Sequence, residues 1–142
     1  MTSLLRAALV AAFAIAGLSV AGAQTPSPKG AKVYIVNIKD GDTVKSPFLV
    51  QFGLSGMGVA PAGVQKENTG HHHLLIDTKL TAEQMKAPLP ADDYHKHFGG
   101  GQTETMVTLP KGKHTLQLML GDWSHVPFSP PVMSETITVE VQ

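Results

Sequence analysis

Short apolar runs, either alternating or rich in β-branched residues and separated by turn-forming residues, constrain the fold of this chain more than any other feature. The clearest run is 114–120, in which every second residue from Leu116 is a leucine and therefore falls on one face of an extended strand. The closing run, 135–141, alternates in the same way, and no long stretch shows helical periodicity. The pattern predicts an all-β fold, an immunoglobulin-like β-sandwich of about six to seven strands.

The runs also predict where the strands and the long loops lie. Strands are expected at 32–38, 48–54, 70–77, 103–109, 114–120 and 135–141. Residues 55–70 and 121–131 lack any helical pattern and predict two long loops. One or two helical turns are expected at 80–86, before Pro88. Because long ordered loops more often serve a function than fill space, both loops are candidates for a site.

The N-terminus has the features of a secretory signal peptide. A single arginine precedes an apolar stretch, and a small-x-small triplet ends at Ala23. We therefore expect residues 1–23 to be removed and the protein to be periplasmic. Residues 24–30 predict a flexible leader, and 31–142 predict a single β-sandwich domain. The apolar stretch is too short for a membrane span, and no second one follows it.

The composition excludes several classes of protein. The 142 residues contain no cysteine, which excludes disulfides, thiolate metal sites and cysteine nucleophiles. Eleven basic residues balance eleven acidic ones, and there is no basic run, so neither nucleic acid nor an anionic membrane is an expected partner. A domain of this size buries enough surface to be stable without covalent cross-links.

The seven histidines all lie between His71 and His125, and three of them are consecutive at the start of the strand expected at 70–77. Because side chains alternate along a strand, His71 and His73 point to the same side, about 6.6–6.8 Å apart. Two imidazoles at this spacing can lean together onto one ion, with metal–nitrogen bonds of about 2.0–2.1 Å. His72 points to the other side with the apolar residues that follow, where a structural role is the alternative.

Further along the chain, His95 and His97 repeat this spacing and form a second pair if their segment is extended. His114 and His125 are single candidates, and a lone histidine on a strand, as His114 is, more often has a structural role. Imidazole ligands without a thiolate suit copper or zinc. The candidate metal ligands are therefore His71, His73, His95, His97, His114 and His125.

Four longer segments carry a resemblance to a known family. They are 70–77 (GHHHLLID), 95–104 (HKHFGGGQTE), 112–125 (GKHTLQLMLGDWSH) and 130–134 (PPVMS). In these segments the chain resembles the bacterial exported family catalogued as domain of unknown function 4399, and the resemblance extends over roughly 32–139. It implies a small exported β-rich domain whose signature residues are largely the histidines, glycines and acidic residues. The resemblance supplies no function.

Two functions remain open at this point. The first is an exported protein that binds a transition metal, copper or zinc, as a buffer or carrier. The alternative is a non-metal binding module of immunoglobulin-like type, in which the histidines are structural and the loops with Trp123 recognise an unknown small ligand or partner. The recognised catalytic motifs are absent, and Met57 stands where a nucleophile elbow at 53–57 requires glycine. The sequence therefore favours a protein without enzymatic activity, and the enzyme alternative stays open.

Overall fold

Nine β-strands and one short 3₁₀ turn, Gln84–Lys86, make up the regular structure of residues 22–142, the part of the chain that the computed structural model describes. The signal peptide predicted at 1–23 lies outside these residues except for its last two. None of the helical structure within 22–142 is long and apolar enough to cross a membrane. The strands are β1 (Lys32–Ile35), β2 (Thr43–Val44), β3 (Phe48–Ser55), β4 (Gly58–Val59), β5 (Thr69–Ile76), β6 (His95–His97), β7 (Glu104–Val107), β8 (Gly112–Gly121) and β9 (Ile137–Val141).

The strands form two sheets. The smaller sheet has three antiparallel strands in the order β1-β3-β7. The larger has six, in the order β2-β9-β8-β5-β4, with β6 also paired to β5. Within it, β2 runs parallel to β9 and β4 parallel to β5, whereas the other pairs are antiparallel. The predicted all-β sandwich is confirmed, and the strands beyond the expected number are the very short β2, β4 and β6.

The hydrophobic core lies between the two sheets. Its residues alternate along each strand, so that Val50 and Phe52 of the smaller sheet face Leu74 and Leu118 of the larger one. The alternating leucines of β8 are completely buried, as their spacing predicts. Burying one such side chain contributes about 1.5–3 kcal/mol, and this repeated contribution is what holds the sheets together.

The outer face of the larger sheet is also covered where β5 crosses it. His71 and His73 on this face are completely buried, although they point away from the core between the sheets. The chain segments at Gly63, at Leu89 and at 123–125 are linked to one another by main-chain hydrogen bonds. Gly63 N donates to Trp123 O over 2.8 Å, and Leu89 N donates to His125 O over 3.1 Å. The two predicted loops, 55–70 and 121–131, are therefore joined to each other, and His125 of the second lies against His71 of β5.

The segment 24–30, which the sequence predicts to be flexible, makes several contacts with the folded domain. Pro26 forms a bridge with Ser129, and Ser129 N donates to Thr25 O over 3.0 Å. Ser27 N also donates to Ser129 O, over 3.3 Å. These bonds use main-chain groups and polar side chains, so no hydrophobic pattern in the sequence announces them.

Candidate metal centre

Two adjacent strands place three histidines side by side on the outer face of the larger sheet. His71 and His73 alternate with inward-facing residues on β5, and in the antiparallel register His97 of β6 stands directly opposite His73. The ring centroids of His73 and His97 are 5.0 Å apart. Because hydrogen-bonded strands fix both the register and the facing of each residue, these three imidazoles are held by the rigid part of the fold.

The fourth histidine comes from the loop that follows β8. His125 Nδ1 lies 3.2 Å from His71 Nε2, and the ring centroids of His125 and His97 are 4.7 Å apart. His71 Nε2 also lies 3.0 Å from His73 Nε2. We call these four residues, His71, His73, His97 and His125, the histidine cluster. One ring nitrogen from each lies within 4.8 Å of all the others, so the cluster could hold a metal ion.

The spacing of the ligand atoms fits a single ion. Four nitrogens around a tetrahedral ion, with bonds of about 2.0–2.1 Å, are about 3.4 Å from one another. The two contacts at His71 Nε2 are only slightly shorter than this. In addition, His97 Nε2 is buried and has no hydrogen-bond partner within residues 22–142. The cluster would admit one ion if the contacts at His71 opened slightly and the more distant nitrogens, which lie within 4.8 Å of one another, moved closer. Buried ring nitrogens usually have a partner, and an ion would supply one for His97 Nε2.

Burial keeps the imidazoles in the form that binds metals. Burial, reinforced by repulsion from His97 and His125, lowers the pKa of His71 to about 4, although Asp122 opposes the effect. Burial and the neighbouring histidines lower the pKa of His73 to about 3. The pKa of His97 is lowered in the same direction, chiefly by burial. At neutral pH these rings are therefore uncharged and can donate a lone pair to a cation.

The comparison with protein-family models identifies a family for this chain. Residues 50–142 match the model described as a domain of unknown function (DUF4399). The chain belongs to this family. The family resemblance seen in the sequence is thereby confirmed, and the matched region contains the whole histidine cluster. The comparisons with curated proteins and with solved structures give no match.

The remaining candidate ligands of this DUF4399 protein lie outside the cluster. His95 shares the outer face with His97 but stands opposite Leu75, two residues along β5 from His73. Its Nδ1 lies 2.9 Å from an oxygen of Asp92. His114 lies near the start of the ten-residue strand β8, whereas the cluster lies at the end of that strand. The structure thus brings His97 of the second pair and the single candidate His125 into the cluster. His95 and His114 lie outside it.

His72 has the inward position that its place in the strand predicts. It is completely buried, and its ring packs against Phe52 of the smaller sheet with centroids 5.2 Å apart. Burial lowers its pKa to about 4. His72 therefore belongs to the core of the sandwich and stands on the opposite face of β5 from the cluster.

Two glycines leave space for the imidazoles of the cluster. A Cβ at Gly121 would lie 2.8 Å from His73 Nε2, and a Cβ at Gly99 would lie 2.4 Å from the His97 ring. Both distances are shorter than van der Waals contact. Glycine is therefore required at positions 99 and 121 because a histidine ring closely approaches the backbone there.

We expect Gly121→Ala to lower the free energy of unfolding by about 1–3 kcal/mol, because the new methyl group pushes the fully buried His73 ring out of position. Thermal unfolding followed by circular dichroism measures this effect. Gly58→Ala is the matched control, since its Cβ would meet only Thr69, at 3.4 Å. Equal melting temperatures for the two variants would contradict the close packing at His73.

His114 forms a polar contact of its own at the other end of the sheet. Its Nδ1 donates to Asp77 Oδ2 over 2.7 Å and its Nε2 to the carbonyl oxygen of Pro110 over 2.9 Å. Both partners are acceptors, so the ring makes both bonds only when both nitrogens carry a proton. The hydrogen bond to Asp77 accordingly raises the pKa of His114.

We expect His114→Gln to destabilise the protein by about 1 kcal/mol below pH 6.5 while leaving metal binding unchanged. The pKa of His114 is higher in the folded than in the unfolded chain, so its contribution is fully present below 6.5 and is lost as the pH rises through the folded value. Urea unfolding at pH 6 and at pH 9 checks this difference. A loss of metal binding in this variant would show that His114 belongs to the site after all.

The sequence did not reveal the groups that support His125. Asp122 lies three residues before His125 without any motif that indicates its role, and Thr25 lies in the segment expected to be flexible. In the structure Thr25 Oγ1 donates to Asp122 Oδ2. This contact joins residues far apart in the chain, so no local spacing could have indicated it.

Proposed function

We propose that this protein is exported to the periplasm and binds one copper or zinc ion through the histidine cluster, acting as a buffer or carrier of that metal. The observation that carries the proposal is the convergence of four imidazoles from β5, β6 and the loop after β8. Export is supported by the signal-peptide pattern of residues 1–23.

The chemistry of the donor set supports these two metals. Every candidate ligand atom in the cluster is an imidazole nitrogen. The chain has no cysteine, and Met57 packs against the apolar core. Imidazole suits Cu(II) and Zn(II), and copper binds more tightly at a given nitrogen site when both are present. The choice between them then depends on which metal the compartment supplies.

The completeness of the donor set supports binding over catalysis. Catalytic zinc sites keep one position open for water or substrate, whereas structural sites are closed by four protein ligands. The cluster supplies four. The four ligands also differ in solvent exposure. His71 and His73 are fully buried, whereas His97 and His125 are partly exposed. The ion would enter and leave past the exposed pair, as a carrier requires.

Isothermal titration of the metal-free protein with Zn(II) and Cu(II) tests the proposal. We expect one ion per chain, with a dissociation constant below about 1 μM. Binding should weaken as the pH falls below neutrality, since protons compete for the same nitrogens. Absence of saturable binding by either metal would overturn the proposal and would leave the interaction module with structural histidines.

A further inference from the structure

His125 is the one member of the cluster that no strand holds in place. Its backbone φ is 70°, in the left-handed region that residues other than glycine seldom adopt. Such a conformation costs about 1–3 kcal/mol and persists only where the surrounding structure imposes it. The position of His125 over His71 therefore depends on whatever fixes the loop 122–126.

The carboxylate of Asp122 fixes that loop. Its Oδ1 accepts hydrogen bonds from Ser124 N over 2.8 Å, from Ser124 Oγ over 2.7 Å and from Val126 N over 3.1 Å. The main-chain oxygen of Asp122 accepts a further bond from His125 N over 2.9 Å. Asp122 is only 4% exposed, and burial alone would raise its pKa, but the hydrogen bonds that its carboxylate accepts from Thr25, Ser124 and Val126 keep the pKa below its usual value. One buried carboxylate thus accepts hydrogen bonds from Ser124 and Val126, the residues on either side of His125.

The second oxygen of Asp122 is held by the N-terminal segment. Thr25 Oγ1 donates to Asp122 Oδ2 over 2.6 Å. Gln24 Nε2 donates to Pro127 O, just beyond the loop, over 2.9 Å and to Met85 O over 2.6 Å. We call residues 24–27 the N-terminal strap. It is hydrogen-bonded to Asp122, at the start of the loop 122–126, and to Pro127, directly after that loop.

We propose that Asp122 and Thr25 are positioning residues for the metal, so that the N-terminal strap sets the affinity of the site by holding His125 in reach of the other three ligands. This inference rests on the proposed metal-binding function. Without the Thr25 bond the loop can relax from its unfavourable backbone conformation, and His125 withdraws. The three strand-borne histidines then bind the ion with one position left to water.

Three variants of the strap separate positioning from general stability, with Co(II) as the probe because its visible spectrum reports the number and geometry of its ligands. Thr25→Val removes the hydroxyl at nearly constant volume, and Thr25→Ser restores it. Ser27→Ala is the matched control, because Ser27 Oγ donates to Pro130 O, away from the His125 loop. We expect Thr25→Val to bind Co(II) about 10–100-fold more weakly, as for other groups that orient a ligand.

The spectrum supplies the readout that a purely structural role would not change. Thr25→Val should show the shifted visible bands of Co(II) in which water replaces one imidazole and should resemble the His125→Ala variant, whereas Thr25→Ser and Ser27→Ala should resemble the wild type. Wild-type affinity and spectrum in Thr25→Val would overturn this inference and leave the proposed function intact. Failure of the wild type itself to bind Co(II), Zn(II) or Cu(II) would overturn the proposed function instead.

A further variant covers the case in which Thr25→Val does not fold. Gln24→Ala removes only the side-chain bonds to Pro127 and Met85 and leaves Asp122 untouched. We expect a smaller loss of Co(II) affinity in this variant, of about 10-fold. Unchanged binding and an unchanged spectrum would contradict a role for the strap.

Discussion

Replacing His73 with leucine is expected to abolish metal binding and to leave the metal-free protein as stable as the wild type, or more stable. His73 supplies one of the four ligand atoms, and its loss should weaken binding at least about 100-fold. Leucine has a similar volume and carries no polar atom. His73 Nδ1 is buried without a hydrogen-bond partner among the described residues, and leaving such an atom unpaired costs about 1–3 kcal/mol.

Two measurements on this variant separate the candidate functions. Isothermal titration gives the affinity, and thermal unfolding without metal gives the stability. His95→Leu is the control, since His95 lies on the same sheet face outside the cluster, and this variant should keep wild-type affinity. A large fall in melting temperature in His73→Leu, together with a wild type that binds no metal, would show that the histidines are structural.

The metal-free protein is expected to unfold cooperatively in mild acid, between about pH 5.5 and pH 4. The pKa of His71 and of His72 is lowered by burial from 6.5 to about 4, and that of His73 to about 3. Because the folded values lie below the unfolded one, the stability that these residues allow is fully present above pH 6.5. It is lost as the pH falls from there towards the folded values, since the unfolded chain takes up the protons first.

The size of the effect follows from the number of histidines that titrate together. Each contributes up to about 1.4 kcal/mol per pH unit, so that three give roughly 4 kcal/mol per pH unit. His114 acts in the opposite sense, because its pKa is raised, but it is a single group with exposed partners. A typical domain has only about 5–15 kcal/mol of stability in total, which this slope exhausts within a few pH units.

Urea unfolding at a series of pH values measures that slope, and His72→Leu tests its origin. This variant removes one of the three titrating histidines, the one that lies in the core, and leaves the cluster unchanged. The slope of unfolding free energy against pH should therefore fall by about one third, and the acid midpoint should move to lower pH. The same slope and midpoint in the variant and the wild type would show that other groups cause the acid transition.

The sequence was most informative where function depends on strand alternation. The facing of His71 and His73, the opposite facing of His72 and the buried leucines of β8 follow from the two-residue period of a strand. The number of long strands follows in the same way. Strands of two or three residues, such as β2 and β4, are too short to have a period, so only the pairing of distant segments reveals them.

The sequence was least informative where the site depends on register and on loops. Nothing local sets His97, and not His95, opposite His73, because register follows from how β6 pairs with β5. The distance from His114 to the cluster depends likewise on the length and direction of β8. The place of His125 depends on Asp122 and Thr25, which meet only after folding. Spacing could therefore propose candidate ligands but could not choose among them.

X-ray absorption spectroscopy of the zinc-loaded protein measures the claim on which the account depends, that one ion takes its ligands from β5, β6 and the loop after β8. We expect a first shell of four nitrogen scatterers at about 2.0 Å with the multiple-scattering pattern of imidazole. His125→Ala should reduce the imidazole count from four to three. A wild-type zinc site dominated by water or carboxylate oxygen, with two imidazoles or fewer, would contradict the claim that four histidines bind the ion.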